Sequence, residues 1–88
     1  MKIYIMRHGE AEHNASSDSL RPLTKQGSLE AEKMGHWLAS HHPKLQHVFV
    51  SPYLRAQQTC THITAVLIKA GLLKGVVNET LDFIINEM

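Results

Sequence analysis

The sequence of 88 residues lacks the features that mark several large classes of protein. Its single cysteine, Cys60, cannot form an intramolecular disulfide bond, which fits a reducing compartment such as the cytoplasm. No apolar run approaches the about 20 residues that a membrane-spanning helix needs. Only Lys2 separates Met1 from the first apolar segment, so a secretory signal peptide is not expected. We therefore expect a cytoplasmic protein with no membrane association.

An excess of charge of one sign is also missing. Nine Lys and Arg residues against eight Asp and Glu residues give a net charge of +1, so the basic surface that binds nucleic acids is not predicted. The hydrophobic fraction of 43% is ordinary for a small globular domain. Seven histidines are the unusual count. They are scattered, and the neighbours His41 and His42 would face different directions on a helix, so no metal site is predicted.

The first apolar segment ends in a group of phosphate-binding residue types. Residues 2–6 alternate apolar and aromatic side chains as a strand does, and Arg7, His8 and Gly9 follow directly. Open α/β sheets bind their ligands at the carboxyl ends of their strands. Glycine at position 9 permits a sharp turn and a close approach of a ligand to the backbone. A long polar loop over residues 9–22 comes next, and such loops are often functional.

The following segment has the pattern of an amphipathic helix. Thr24 is placed as an N-cap, and His41-His42-Pro43 predicts an end near Ser40, since proline disfavours helical geometry in the residue before it. The predicted apolar face consists of Leu29, Ala31, Met34, Gly35, Trp37 and Leu38.

A second strand and a second helix are predicted after Pro43. Val48–Val50 forms the strand, and the helix runs from about Pro52 to Lys69, with Ser51 as its cap and Gly71 as its stop. The predicted apolar face of this helix consists of Leu54, Ala56, Thr59, Ile63, Val66 and Leu67. The order strand, helix, strand, helix is typical of an α/β fold with a parallel sheet. Val76-Val77 is predicted as a third short strand, and residues 79–88 as a loop with a terminal helical turn.

Two arginines and one histidine carry the predicted chemistry. Arg7 closes the first strand and Arg55 lies one turn into the second helix, so both are expected at the carboxyl ends of adjacent strands. Guanidinium groups bind phosphate oxygens in bidentate fashion, and a neutral imidazole such as that of His8 is a nucleophile at physiological pH. Each of these residues could also be no more than a solvated polar side chain.

Three motifs in one order resemble the histidine phosphatase superfamily, the phosphoglycerate-mutase-like proteins. These are Arg7–Asn14, Leu23–Gly27 and Ser51–Thr59, and the short loop between the first two is most similar to small SixA-type phosphohistidine phosphatases. The resemblance covers about Met1 to Thr59 and implies a three-layer α/β sandwich. The family domain is longer, so residues 1–88 are expected to be the N-terminal portion of one such domain.

The resemblance implies a role for several residues. His8 would be the nucleophile that becomes phosphorylated, Arg7 and Arg55 would clamp the phosphoryl group, and Asn14 would line the phosphate pocket. Glu79 is the nearest candidate for the proton donor that many members carry after the third strand. The family's second histidine, in a Ser-His-x-Pro-like segment near the end of the domain, is not found there. No metal or organic cofactor is implied.

The expected partner is a phosphorylated protein, such as the phosphotransfer domain of a signalling relay. A small-molecule phosphomonoesterase of the same superfamily and a non-catalytic phosphate-binding or phosphoprotein-binding module remain alternatives. The family's later strands are absent, which leaves an open sheet edge, and we expect this edge to promote formation of a homo-oligomer.

Overall fold

The computed structural model describes residues 3–45, 48–73 and 83–86, the last group by its backbone. Three strands form a parallel sheet: β1 (Tyr4–Arg7), β2 (Phe49–Val50) and β3 (Phe83–Asn86). Two helices, α1 (Lys25–Ser40) and α2 (Leu54–Lys69), pack against each other, and a short 3-10 helix (Asp18–Leu20) lies in the loop after β1. The predicted α/β class and parallel sheet are therefore present.

The third strand and the strand order, β1-β3-β2, each correct one prediction. Phe83–Asn86 is a strand, whereas the sequence predicted a loop with a helical turn there. Its Phe-Ile-Ile segment suits a strand because aromatic and β-branched residues favour this conformation. Since β3 lies between β1 and β2, Arg7 and Arg55 do not follow adjacent strands as predicted. Val76-Val77, the predicted third strand, lies outside the described residues.

Strand β1 alternates between a covered face and an exposed face, as a strand against one helical layer should. Met6 is 4% exposed, whereas Ile5 is 68% exposed. Met6 joins a core whose other buried members come from α1, α2 and the segments beside them: Leu38, Val48, Ala56, Ile63, Leu67 and Leu73.

Helix α1 begins and ends where the sequence predicts. The Thr24 hydroxyl caps its N-terminus by accepting a hydrogen bond of 3.0 Å from the Gly27 N–H. The predicted apolar face is wrong in part, because Leu29, Met34 and Trp37 are exposed. The buried face instead carries small residues at helical spacing: Gly27, Ala31 and Gly35, followed by Leu38. Small side chains let neighbouring backbones approach closely, and a Cβ on Gly35 would lie 3.0 Å from the Cβ of Val66 in α2.

Helix α2 begins at Leu54, with Tyr53 as its N-cap, so the prediction that Pro52 occupies the first helical position is wrong. Ser51 still supports this end, because its hydroxyl accepts a hydrogen bond from the Tyr53 N–H at 3.2 Å. The helix stops at Gly71 as predicted. Gly71 has a φ of +76°, and the N–H groups of Gly71 and Leu72 donate to the carbonyls of Ile68 and Leu67, which is a Schellman motif.

Candidate active site

The Arg-His-Gly segment lies at the carboxyl end of β1. Arg7 is the last strand residue and is exposed, and His8 is partly buried. His8 Nδ1 lies 2.6 Å from the carbonyl oxygen of Gly9. Since a carbonyl oxygen can only accept a hydrogen bond, Nδ1 carries the proton in this contact. In a neutral imidazole with its proton on Nδ1 the lone pair lies on Nε2, and this is the form that a nucleophilic histidine needs.

A buried threonine connects this strand end to helix α2. The Gly9 N–H donates to the Thr59 hydroxyl at 3.1 Å, and that hydroxyl donates to the Arg55 carbonyl oxygen at 2.7 Å. Thr59 is 1% exposed, so water cannot replace either bond. The sequence predicted Thr59 only as part of an apolar helix face. Its hydroxyl in fact fixes the residue after His8 against the first turns of the helix that carries Arg55.

Two glycines bring the first motif into contact with the start of α1. A Cβ on Gly9 would overlap the Gly27 carbonyl, and a Cβ on Gly27 would overlap the backbone of Glu10. The same contact is held by hydrogen bonds, because the Thr24 N–H donates to the Glu10 carbonyl at 2.9 Å. The Glu10 N–H in turn donates to the Glu30 carboxylate at 2.8 Å.

The second and third motifs also contact each other directly. The Leu23 N–H donates to the side-chain oxygen of Gln58 at 2.7 Å. All three motifs, which are widely separated in the sequence, therefore meet at the carboxyl end of β1. The two hydrogen bonds of Thr59 among these contacts are buried, so they hold the backbone after His8 against α2.

Arg55 is a buried cation that contacts the polar loop after β1. It is 5% exposed, and its guanidinium donates to the Asp18 carbonyl oxygen at 2.7 Å and to the Asp18 carboxylate at 3.3 Å. The guanidinium carbon also lies 4.7 Å from the centre of the Tyr53 ring, a cation–π contact. These contacts hold the guanidinium at the N-terminal end of α2, where the helix dipole also favours an anion.

Asp18 joins two arginines at the rim of the site. Arg21 donates to its carboxylate at 3.0 Å, in addition to the contact with Arg55. The hydrogen bond from Arg21, followed by the interactions with Arg55, holds the pKa of the Asp18 carboxyl below its ordinary value against the opposing effect of desolvation. The carboxylate side chain is 60% exposed. Asp18 is therefore ionised at neutral pH and partly neutralises this cluster.

The other residues considered for a chemical role form no hydrogen bond with the candidate site among the described residues. Asn14 is exposed in the loop after β1, and no hydrogen bond among the described residues joins it to Arg7, His8 or Arg55. Glu79 lies outside the described residues. Cys60 is half-buried against the core, and burial raises the pKa of its thiol, which keeps it protonated at neutral pH.

The segment Ser40-His41-His42-Pro43 has the letters of the family's Ser-His-x-Pro pattern, but it does not reach this site. It follows the C-terminal end of α1, a helix of 16 residues. The opposite end of α1 contacts Gly9, so the two ends are separated by about 24 Å. His41 stacks on Trp37 instead, with ring centres 4.4 Å apart. The sequence analysis excluded these histidines as too early in the chain and as lying in the wrong local pattern. The second ground is wrong for His41, but its position agrees with the first.

Sequence reasoning missed Asp18 and Arg21 as part of this cluster. A signal was present, because Asp18 precedes Arg21 by three residues in a polar loop, a spacing that permits an ion pair across one helical turn. The contact with Arg55 had no such signal, since 37 residues separate it from Asp18. Within the described ranges, no group of three or more His, Cys, Asp or Glu residues is arranged to hold a metal ion. In the same ranges, none of the helices is long and apolar enough to cross a membrane.

Comparison with known families gives one match over most of the chain. The model of the histidine phosphatase superfamily (branch 1) matches residues 3–75. Phosphohistidine phosphatase SixA of Escherichia coli is 46% identical over 63 residues, which are 72% of this chain and 39% of that protein. A SixA homologue of Haemophilus influenzae is 50% identical over 64 residues, which are 67% of this chain and again 39% of the relative.

Solved structures agree with the sequence relatives. The structure of the protein histidine phosphatase SixA complexed with tungstate matches 98% of this chain with a TM-score of 0.73 and 35% identity. A putative SixA from Agrobacterium tumefaciens matches 73% of this chain with a TM-score of 0.68 and 26% identity. The matches cover 49% and 44% of those two chains, so this chain spans about half the length of these relatives.

Proposed function

Since the chain belongs to the histidine phosphatase superfamily (branch 1), we propose that it carries the N-terminal portion of a SixA-type phosphohistidine phosphatase domain, a three-layer α/β sandwich. The observation that carries this proposal is the buried link from Gly9 through Thr59 to Arg55. It ties the residue after His8 to the turn of α2 that carries Arg55, which supports a site in which this imidazole and this guanidinium act on the same phosphoryl group. The relatives named as phosphohistidine phosphatases support the choice of reaction.

In this proposal His8 is the nucleophile. The hydrogen bond from Nδ1 to the Gly9 carbonyl orients the ring, and Nε2 is the atom that attacks phosphorus. Arg7 and Arg55 bind the equatorial oxygens, whose charge they neutralise as the transition state forms. Arg55 is well suited to this role because its position is set by Asp18 and Tyr53 before any substrate binds. Asn14 adds a neutral hydrogen-bond donor from the loop.

The reaction takes place in two balanced steps. First, His8 Nε2 forms a bond to phosphorus while the bond from phosphorus to the substrate imidazole breaks, and that imidazole takes up a proton. Because an imidazole leaving group is protonated readily, this step needs little help from an acid. Second, water attacks the phosphohistidine at position 8, inorganic phosphate leaves and the imidazole of His8 is regenerated. Glu79 is the candidate proton donor for substrates with a poorer leaving group. No cofactor takes part.

The proposed substrate is a phosphohistidine on a partner protein, for instance a phosphotransfer domain of a cytoplasmic signalling relay. The test is phosphate release from a phosphohistidine-bearing protein, with His8→Ala and the matched control His13→Ala. His13 is an exposed histidine of the same loop. We expect release by the wild type and by His13→Ala, and none by His8→Ala. Equal release by His8→Ala and the wild type would refute the assignment of the nucleophile.

A non-catalytic binding module is the second candidate, and one observation favours it. The Arg55 guanidinium is already held by Asp18 and Tyr53, which suits the binding of an anion whether or not turnover follows. Such a module would hold phosphate with Arg7, His8 and Arg55 but would not turn over. A stable phosphohistidine at position 8 without release of phosphate would identify this case. Release from a sugar or nucleotide phosphate, but not from the phosphoprotein, would instead favour the small-molecule phosphomonoesterase.

A further inference from the structure

A carboxylate borders the candidate active site, although this site is proposed to bind an anion. Asp18 accepts hydrogen bonds from Arg55, the buried cation of the site, at its carbonyl oxygen and at its carboxylate. A negative charge beside a cation that binds phosphate opposes the binding of the phosphoryl group. The mechanism described above gives this charge no task, so the presence of the carboxylate needs a separate explanation.

Hydrogen bonds hold Asp18 at its backbone and at its side chain. Its carbonyl oxygen accepts from the Arg21 N–H at 3.2 Å as well as from Arg55 at 2.7 Å. Its carboxylate accepts from Arg21 on Oδ1 and from Arg55 on Oδ2, at 3.0 and 3.3 Å. The guanidinium of Arg21 also donates to the Glu12 carbonyl oxygen. The carboxylate therefore has a defined position before a substrate arrives, which lowers the cost of using it for recognition.

The Asp18 carboxylate accepts hydrogen bonds and does not donate them. The hydrogen bond from Arg21, followed by the interactions with Arg55, holds the pKa of this carboxyl below its ordinary value, so the group has no proton to give to a leaving group at neutral pH. An ionised carboxylate accepts about four hydrogen bonds, and the two arginines use one at each oxygen. Since the side chain is 60% exposed, a substrate can reach the other lone pairs.

The leaving group of phosphohistidine suits such an acceptor. One ring nitrogen is bonded to phosphorus, and the other carries a proton when the ring is ready to leave. In that form the ring is an imidazolium, a cation whose N–H points away from phosphorus. The leaving group of a phosphate ester or an acyl phosphate has no such N–H and gains negative charge as it departs, which a carboxylate opposes. A carboxylate at this place therefore favours phosphohistidine over these other phosphoryl donors.

We propose that Asp18 is a specificity-determining residue whose carboxylate accepts a hydrogen bond from the N–H of the substrate's phosphoimidazole ring. The carboxylate lies across one guanidinium from a phosphoryl oxygen on Arg55, and the N–H lies across one ring of similar size from phosphorus. The bond from phosphorus to nitrogen breaks with its electron pair on that nitrogen. The ring leaves as neutral imidazole and keeps its proton on the nitrogen that faces Asp18. This inference rests on the proposed function, in which His8 receives the phosphoryl group.

The first experiment compares two phosphoryl donors, phosphoimidazole and acetyl phosphate, on the full 88-residue chain. We expect Asp18→Asn to release phosphate from phosphoimidazole about tenfold more slowly than the wild type, as one hydrogen bond to a charged group is lost. Release from acetyl phosphate should be unchanged or faster, because the negative charge is gone. Glu32→Gln, which removes an exposed negative charge from α1, should leave the ratio of the two rates unchanged. Equal slowing with both donors would mean that the carboxylate only positions Arg55, and would overturn the proposal.

The second experiment does not depend on turnover. If neither donor releases phosphate with the wild type, the proposed function has failed, whereas the recognition of imidazolium is still tested by binding. Imidazole is titrated into the tungstate-bound chain at mildly acidic pH, where imidazole is protonated, and binding is followed by NMR. We expect Asp18→Asn to bind imidazole about tenfold more weakly than the wild type and Glu32→Gln to bind it equally well. Imidazole binding that is absent from the wild type, or equally strong in Asp18→Asn, would overturn the proposal.

Discussion

Asp18 accepts two hydrogen bonds from the guanidinium of Arg55, one at its backbone carbonyl and one at its carboxylate, at 2.7 and 3.3 Å. The backbone bond is the shorter of the two and does not depend on the side chain at position 18. The two hydrogen bonds therefore have different roles in the site. The carbonyl positions the guanidinium, whereas the carboxylate adds a negative charge close to where a phosphoryl group would bind.

The first prediction follows from this division. Asp18→Asn keeps the backbone bond and an oxygen that can accept from Arg21, but removes the negative charge. We expect binding of phosphate or tungstate to become a few-fold tighter, because the anion no longer meets a neighbouring carboxylate. Isothermal titration calorimetry at low ionic strength measures this change.

The matched control is Glu32→Gln, which removes one exposed negative charge from the surface of α1. If Glu32→Gln strengthens anion binding as much as Asp18→Asn does, the effect is one of net charge and not of the contact between Asp18 and Arg55. Weaker binding in Asp18→Asn would mean that the carboxylate is needed to position Arg55.

The second prediction concerns the pH dependence of thermal stability. Asp18 has a lowered pKa in the folded protein because of its bonds to Arg21 and Arg55. A carboxyl group of this kind stabilises the fold above its unfolded pKa, about 3.9, and the contribution is lost as pH falls through the lower, folded value. We therefore expect Asp18→Asn to melt at a lower temperature than the wild type at pH 7. The difference should shrink as the pH falls below the unfolded pKa of Asp18 and disappear below the folded pKa. Thermal melts followed by circular dichroism at several pH values test this, and a difference that grows in acid would contradict it.

Much of the fold could be predicted because its signals are local. The strand that ends at Arg7, the cap at Thr24 and the stop at Gly71 each depend on a few neighbouring residues, and the structure has all three. The order of the strands could not be predicted in the same way. Whether β3 lies between β1 and β2 depends on pairing between distant segments, which local patterns do not encode.

The candidate site shows the same distinction. Arg7, His8 and Arg55 could be proposed as site residues because their motifs are short and contiguous. The contact between Asp18 and Arg55 was missed because 37 residues separate them in the sequence. Trp37 was assigned to the core from its spacing on α1, but the structure leaves it 50% exposed, because the glycines and alanine of α1 face α2 and the β1 loop instead. Helical spacing alone cannot tell which of two neighbouring stripes a second helix will cover.

The third prediction tests the buried link between the motifs. Thr59→Val keeps the shape of the side chain but removes the hydroxyl that bonds to both Gly9 and Arg55. The buried Gly9 N–H is then unsatisfied, and we expect the free energy of unfolding to fall by about 1–3 kcal/mol. Urea denaturation measures this loss. Anion affinity should fall as well, since the strand end and α2 are no longer held together.

Thr59→Ser is the control for this link, because it retains the hydroxyl and loses only a methyl group. We expect it to bind anions nearly as the wild type does, although the small cavity lowers its stability. Equal anion affinity in the Val and Ser variants would show that the hydroxyl does not position the site.

The fourth prediction uses a glycine inside a helix. Gly27→Ala would ordinarily stabilise α1, since alanine is favoured over glycine in a helix by about 1 kcal/mol. Here the added Cβ would overlap the backbone of Glu10, which cannot move without pulling the Arg-His-Gly segment away from α1. We therefore expect the opposite sign, a loss of stability together with weaker anion binding. Gln26→Ala, at the exposed neighbouring position of the same helix, should be neutral or slightly stabilising. Urea denaturation and phosphate titration of both variants give the comparison, and a Gly27→Ala variant at least as stable as the wild type would mean that α1 and the strand end are not in contact.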